Sequence, residues 1–173
     1  MNIIFLGPQG SGKGTQAKRL ASFLNNYYYS AGDVLRSIAH EDPTIDKAIN
    51  EVGALVGDEL MFAITKRTLE KANTNNFKDI VFDGYPRSQE QYQLLKKFLE
   101  EKNSQIDIAI ILEINIEESI KRLAARRIHK VTGEIFNLIT NPPGPEIKSE
   151  DLFTREDDNE VAIKERINKY LKA

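Results

Sequence analysis

The chain has 173 residues, 40% hydrophobic and 29% charged, with a net charge of −2; it is long enough for one main domain with a sizeable core, and its balanced charge excludes a general nucleic-acid or membrane-surface binder, so any anion site is local. It contains no cysteine, which excludes disulfides and thiolate metal sites and fits a reducing compartment. The apolar opening, Met1-Asn2-Ile3-Ile4-Phe5-Leu6, lacks the basic start and the length of a signal peptide, and no segment approaches about 18 apolar residues, so a cytoplasmic protein is expected.

In chain order, the apolar run 2–6 predicts a buried strand and 13–25 a helix. A short strand over 27–29 follows, then helices over 34–39, 44–52 and 58–73, the last with Asp58 before Glu59 as a start signal. The run 79–82 predicts a third, buried strand, 88–102 a helix, and the Ile-rich 106–114 a fourth, also buried, strand. Asn115 ahead of Glu117 and Glu118 marks the start of a helix expected to reach residue 127. From 128 to 153 the chain is polar and turn-rich, with Thr132-Gly133 and Asn141-Pro142-Pro143-Gly144-Pro145. That is longer than the about 12–15 residues of an ordinary connection, so a lid or small inserted subdomain is expected, with a plain surface loop as the alternative. A final helix over 159–171 places Val161, Ile163, Ile167, Tyr170 and Leu171 roughly on one face. Strands alternating with helices indicate an α/β fold with a parallel sheet. There are no repeats.

The segment between the first strand and the first helix carries chemistry. Gly7-Pro8-Gln9-Gly10-Ser11-Gly12-Lys13-Gly14-Thr15 fits the phosphate-loop pattern G-x-x-x-x-G-K-[ST], except that Gly14 replaces the hydroxyl residue and Thr15 supplies a hydroxyl one place later. Glycines let backbone N–H groups approach phosphate oxygens, the helix N-terminus adds partial positive charge, and Lys13 adds a full one. The strand–loop–helix setting gives the match its meaning, and a nucleoside triphosphate is the expected ligand. The loop alone does not separate a kinase from a GTPase or an ATPase.

Further blocks narrow the choice. Tyr29-Ser30-Ala31-Gly32-Asp33-Val34-Leu35-Arg36 follows the second strand, Asp83-Gly84-Tyr85-Pro86-Arg87 the third; Arg122 and Arg126-Arg127 precede the polar segment, and Thr154-Arg155-Glu156-Asp157-Asp158 follows it, with Arg166 beyond. Taken singly, Arg36 or Arg126 is an ordinary surface charge, Asp83-Gly84 a turn and Gln91 an exposed helix residue. In this order, over the whole chain, they resemble the nucleoside monophosphate kinases, most closely the adenylate kinases with a long lid.

The resemblance implies a P-loop NTPase-type parallel sheet flanked by helices. It also implies a core of 1–29, 58–124 and 158–173, an NMP-binding insertion over 30–57 and a lid over 125–157. It implies reversible, magnesium-dependent phosphoryl transfer from ATP to AMP, giving two ADP, by a monomer without nucleic-acid or membrane partners. Gly10, Ser11, Gly12, Lys13, Gly14 and Thr15 are expected to hold the ATP phosphates, and Arg122 and Arg126 to contact the ATP side, with Ile135 and Phe136 closing over it from the lid. Arg36 and Arg87 are expected to grip the AMP phosphate, beside Ala31. Gly84, Tyr85, Pro86 and Arg87 form part of the AMP wall, Ala54, Leu55 and Val56 lie beside the base, and Gln91 reads adenine. Arg155 and Arg166 are expected to reach the transferring phosphoryl group and the AMP side. Lys13, Arg87, Arg126, Arg155 and Arg166 form the catalytic set. Asp83, through water, and Thr15 face the magnesium ion. Phosphoryl transfer asks a protein for positioning and positive charge, which arginine forks supply in pairs to phosphate oxygens.

Three positions depart from the family pattern. Ala31 stands where most adenylate kinases carry threonine or serine, and Ser-Ala-Gly-Asp is common in UMP/CMP kinases; Gln91 and the long lid point back to AMP. The lid has no cysteine, and His129, Thr132, Asp151 and Thr154 resemble the polar cluster of zinc-free members, so no structural zinc is expected. The family pattern continues past residue 170 with an edge strand, a helix and backbone contacts to the ATP adenine. Without them a four-stranded sheet of order 2-3-1-4 with an exposed fourth strand is expected, along with weaker ATP binding; a nucleotide-binding chain of impaired turnover is the corresponding alternative.

Overall fold

The structure is a computed structural model that describes residues 1–39, 57–72, 74–155, 158, 163, 164 and 170. The expected helix over 44–52, Ala54, Leu55, Val56 and Arg166, and most of the final helix, lie outside the described residues. The chain divides into two compact units, one of Met1–Gly7 and Gly12–Leu112, the other of Pro8–Ser11 and the chain from Glu113 onward.

The first unit is built on a parallel sheet of order β2-β3-β1-β4, with β1 at Ile3–Leu6, β2 at Tyr27–Ser30, β3 at Ile80–Asp83 and β4 at Ile108–Ile111. This is the expected order. Ile3 lies opposite Val81 on one side and Ile108 on the other, and Ser30 opposite Asp83, so the strand tips carrying the loop and Asp83 are level. Helix α1 spans Lys13–Leu24 and ends on Asn25, whose left-handed backbone turns its N–H to the carbonyls of Ala21 and Ser22. Among the described residues the unit also contains helices α2 (Ala31–Ala39), α3 (Asp58–Lys71) and α4 (Gln89–Glu101). The backbone begins α2 three residues earlier than periodicity suggested, because Ala31 packs into the core with Tyr29, Phe82, Tyr85 and Leu95. On the other side of the sheet, Ile3, Phe5 and Val81 pack against Ala17 and Ala21, whose small side chains bring α1 close.

The strand β4 is shorter than the apolar run 106–114 and is not buried. Ile108 is 41% and Ile111 61% exposed, as suits an edge strand with one neighbour.

Asn2, buried just before β1, clips the lower end of the sheet. Its amide nitrogen donates to the carbonyls of Phe77 (2.9 Å) and Gln105 (2.8 Å) and to Ser104 Oγ (2.9 Å), and its oxygen accepts from Ile80 N (3.1 Å). Asn2→Ala leaves the buried Ile80 N–H without this acceptor. Chemical denaturation is expected to show a loss of about 1–3 kcal/mol.

Burial pushes the phenols of Tyr28, Tyr29 and Tyr85 up, that of Tyr29 to about 12. A raised folded-state value means the native state holds these protons more tightly than the unfolded chain. The associated stability is complete below the ordinary phenol value of about 10 and declines as pH rises through the folded values. The melting temperature is therefore expected to fall between about pH 10 and 12, and more gently in Tyr29→Phe. Equal falls in the two proteins would exclude Tyr29 as a contributor.

In the second unit, α5 spans Ile116–Ala124; Asn115 caps it, accepting from Glu118 N at 2.7 Å. The helix stops short of the expected residue 127 because Arg126–His129 is a strand, β5, paired antiparallel with β6 (Ile135–Asn137) and β7 (Leu152–Phe153) in the order β6-β5-β7. Ile128 and Phe136 are buried in this small sheet, and that burial is what pulls the chain out of the helix. Asn137 Nδ2 donates to Arg122 O (3.0 Å) and Leu138 N to Ala125 O (3.0 Å), fastening the sheet to the end of α5. The polar segment thus contributes to a three-stranded antiparallel sheet. Among the described residues no helix is long and apolar enough to cross a membrane.

Candidate active site

The loop leaves β1 at Leu6 with Gly7, Gly10 and Gly12 all at positive φ (144°, 79° and 88°), conformations that side-chain-bearing residues rarely adopt. Gly10 also has no room for a side chain: a Cβ there would sit 2.9 Å from Ser119 O. Ser119, buried on α5, donates to Gln9 O at 2.5 Å and so holds the loop backbone. Gln9 Oε1 and Ser11 Oγ are buried without a hydrogen-bond partner; the Ser11 hydroxyl can donate to a phosphate oxygen, and Gln9 Oε1 can accept from water around it. Gly12 opens α1; no side chain caps the helix and its first turn holds no acidic residue, which leaves its N-terminus electropositive. Lys13 is half-buried at the first helical position and Thr15 is exposed.

Gly14 lies against the tip of β3. A Cβ on it would meet Asp83 Oδ2 at 2.8 Å. That carboxylate oxygen accepts from Tyr28 Oη (3.0 Å), while Oδ1 is buried with no partner. A hard, unpartnered carboxylate oxygen at the tip of a strand neighbouring the loop's own fits a magnesium ion held through water. Among the described residues no group of three or more His, Cys, Asp or Glu could hold a metal ion.

Of the residues expected at the acceptor, Gly84, Arg87 and Gln91 are linked by hydrogen bonds in the first unit. Gly84 (φ 71°) turns the chain after β3; Arg87 Nε donates to Gly84 O (2.7 Å) and Arg87 N to Gln91 Oε1 (2.8 Å). Gln91 Nε2 donates to Asp58 Oδ1 (2.8 Å), and Ser88 Oγ donates to Asp58 Oδ2 (2.9 Å) while capping α4 through Gln91 N (3.1 Å). Gly84, Tyr85 and Pro86 are buried, Tyr85–Pro86 is cis, and the Arg87 side chain is exposed. Arg36 pairs with Asp33 (2.5 Å), and Ala31 is buried in the core.

In the second unit, Arg126 forms a bidentate pair with the fully buried carboxylate of Asp158, at 2.8 Å and 2.5 Å. Arg122 pairs with Glu118 (2.8 Å) on the same helix, and Arg155 is half-buried. Ile135 is exposed, whereas Phe136 is a core residue of the small sheet. His129 Nδ1 faces both the backbone N–H of Thr132 (3.1 Å) and its hydroxyl (3.0 Å). With that nitrogen engaged, no second histidine beside it among the described residues and no cysteine in the chain, metal analysis of the purified protein is expected to find well under one zinc per chain; one zinc per chain would refute this.

Sequence reasoning missed Ser119, Tyr28, Asp58 and Ser88 as members of these networks. Ser119 alone left a trace: a small polar residue among the apolar positions Ile116, Ile120 and Leu123 of α5.

An α/β protein with a glycine-turned loop feeding an uncapped helix, and an acidic residue at the tip of the adjacent strand, belongs to the P-loop nucleotide-binding class. The adenylate kinase family model matches residues 5–173. The chain is 37% identical to an adenylate kinase of Thermosipho africanus, over 99% of this chain and 82% of that protein. It is 38% identical to one of Thermotoga maritima (98% and 80%) and 36% identical to one of Archaeoglobus fulgidus (98% and 81%). The chain belongs to the adenylate kinase family.

Proposed function

We propose that this enzyme transfers the terminal phosphoryl group of ATP to AMP, reversibly, giving two ADP. Family membership gives the reaction class. The observation that carries the acceptor is the Arg87–Gln91 pair, which holds a phosphate-binding guanidinium and an adenine-matching amide on one short turn. The backbone of Gly10, Ser11, Gly12, Lys13, Gly14 and Thr15 holds the ATP phosphates, and the Lys13 ammonium offsets charge on the outer ones. Arg36 and Arg87 bind the AMP phosphate. Ala31, Gly84, Tyr85 and Pro86 shape its pocket, with Ala54, Leu55 and Val56 beside the base. Arg126, Arg155 and Arg166 stabilise the phosphoryl group in flight. Arg122, Ile135 and Phe136 serve the ATP side.

Magnesium, when bound, would neutralise charge on the phosphates, and Asp83, through water, and Thr15 would be the residues that hold it. The Tyr28 hydroxyl holds Asp83 Oδ2 and leaves Oδ1 for that task. The insertion over 30–57 and the lid over 125–157 close around the substrates and exclude water, so that ATP reacts with AMP rather than being hydrolysed. We take the enzyme to act as a cytoplasmic monomer.

The test is a panel of AMP, UMP, CMP and GMP, each assayed with magnesium and ATP. AMP is expected to give the highest kcat/KM by about tenfold or more. UMP or CMP above AMP would reassign the enzyme to the pyrimidine monophosphate kinases. Binding of a bisubstrate inhibitor without turnover of any monophosphate would leave it a nucleotide binder only.

A further inference from the structure

We propose that Asp58 is a positioning residue for base recognition: it locks the Gln91 amide in the one orientation that matches adenine. This rests on the reading of Gln91 as the group that meets the base.

A glutamine amide carries a donor and an acceptor of nearly identical shape, so its specificity depends on which way round it is held. Adenine offers an acceptor at N1 and a donor at N6; hypoxanthine, of the same size, offers a donor at N1 and an acceptor at O6. An amide free to turn over serves both bases. A fixed amide serves one.

Gln91 is fixed from both ends. Its oxygen accepts from the backbone N–H of Arg87 (2.8 Å) and its nitrogen donates to Asp58 Oδ1 (2.8 Å). A backbone N–H can only donate and a carboxylate only accepts, so the turned-over amide would face N–H with N–H and oxygen with oxygen. Because the residue is only 2% exposed, water cannot rescue that arrangement. Asp58 is itself held, since its Oδ2 accepts from Ser88 Oγ (2.9 Å), and Ser88 Oγ in turn accepts from Gln91 N (3.1 Å). The network ties the first residue of α3 to the first turn of α4. It consumes one of the two amide hydrogens and one of the two oxygen lone pairs, which leaves Gln91 one donor and one acceptor for a base.

The experiment measures kcat/KM for AMP and for inosine monophosphate in the wild type, Asp58→Ala, Gln91→Ala and the double variant, with the KM for ATP and the melting temperature as controls. Asp58→Ala is expected to shrink the AMP-over-inosine-monophosphate ratio by about tenfold or more, mainly through loss of AMP activity, with the KM for ATP unchanged. Gln91→Ala is expected to collapse the ratio, and adding Asp58→Ala to it to change the ratio no further. Asp58→Asn keeps the size and can offer either an oxygen or an N–H, so it is expected to fold and to lower the ratio by a smaller factor of about threefold. A ratio unchanged in both Asp58 variants while Gln91→Ala collapses it overturns the proposal, as does an equal loss for the two nucleotides. A ratio unchanged in Gln91→Ala itself removes Gln91 as the base reader, and the proposal falls with that reading.

Discussion

Lys13→Ala is expected to lower kcat on the order of 10³-fold and to leave the fold intact. The separation follows from where Lys13 stands. The first helical position of α1 carries the lysine, while the helix docks on the sheet through Ala17 and Ala21, a turn and two turns further along. Alanine is the strongest helix former, so the backbone loses nothing at that site. What is removed is a full positive charge beside an uncapped helix N-terminus, where the loop's N–H groups supply only partial charges. Two nucleotides bring several phosphate charges into one place, and charge on the outer oxygens redistributes as the phosphoryl group leaves, so a charge fixed in advance lowers the barrier. Lys13→Arg is not expected to restore activity, because the planar guanidinium is wider than the ammonium and presents its donors as a fork. A steady-state assay beside a thermal melt checks both halves. A wild-type rate in Lys13→Ala would take Lys13 out of the catalytic set.

The sheet and the loop were legible because each depends on short-range chemistry. The strand β1 is an unbroken apolar run and β3 is apolar up to Asp83, and their alternation with helices indicates a parallel sheet; the strand order was an implication of the family resemblance. The exposure of Ile108 and Ile111 was not legible from the apolar run, which pointed to a buried strand; only the family resemblance implied an exposed edge there. The small sheet was not legible either. Its strand β5 reads Arg126-Arg127-Ile128-His129, three polar residues and one apolar, and only pairing with Phe136 and Phe153 across the sheet makes it a strand. The site divides in the same way. Residue types alone marked the loop, whereas Asp83, Arg87 and Gln91 became candidates through the resemblance carried by the ordered blocks. The partners that hold them could not be read from spacing: Tyr28 lies 55 residues from Asp83 and Asp58 lies 33 from Gln91, and only the fold brings them within hydrogen-bond reach. Arg126 is a further case, since the carboxylate that holds its guanidinium, Asp158, lies 32 residues away.

Gly14→Ala is expected to reduce turnover by about 100-fold and to destabilise the protein by about 1–3 kcal/mol. Propensity alone argues the opposite, because glycine to alanine inside a helix gains about 1 kcal/mol. Geometry decides: the new Cβ would lie 2.8 Å from Asp83 Oδ2, closer than real Cβ atoms approach anything. The carboxylate cannot swing away freely, since Tyr28 holds the same oxygen at 3.0 Å and the backbone of Asp83 is locked in register between Phe5 and Ser30. Either α1 tilts, moving the loop, or Asp83 turns, moving the oxygen that faces magnesium. Both disturb phosphoryl transfer, and the second also raises the magnesium concentration needed for half-maximal rate. The same contact accounts for the departure from the general loop pattern, because a serine or threonine at position 14 would bring the same Cβ. Gly14→Ala combined with Asp83→Ala separates the two effects. Removing the carboxylate relieves the clash, so stability is expected to recover, while turnover stays low because the group facing the ion is gone. A single Gly14→Ala variant that is both more stable and fully active would show that neither the clash nor the position of Asp83 matters to this enzyme.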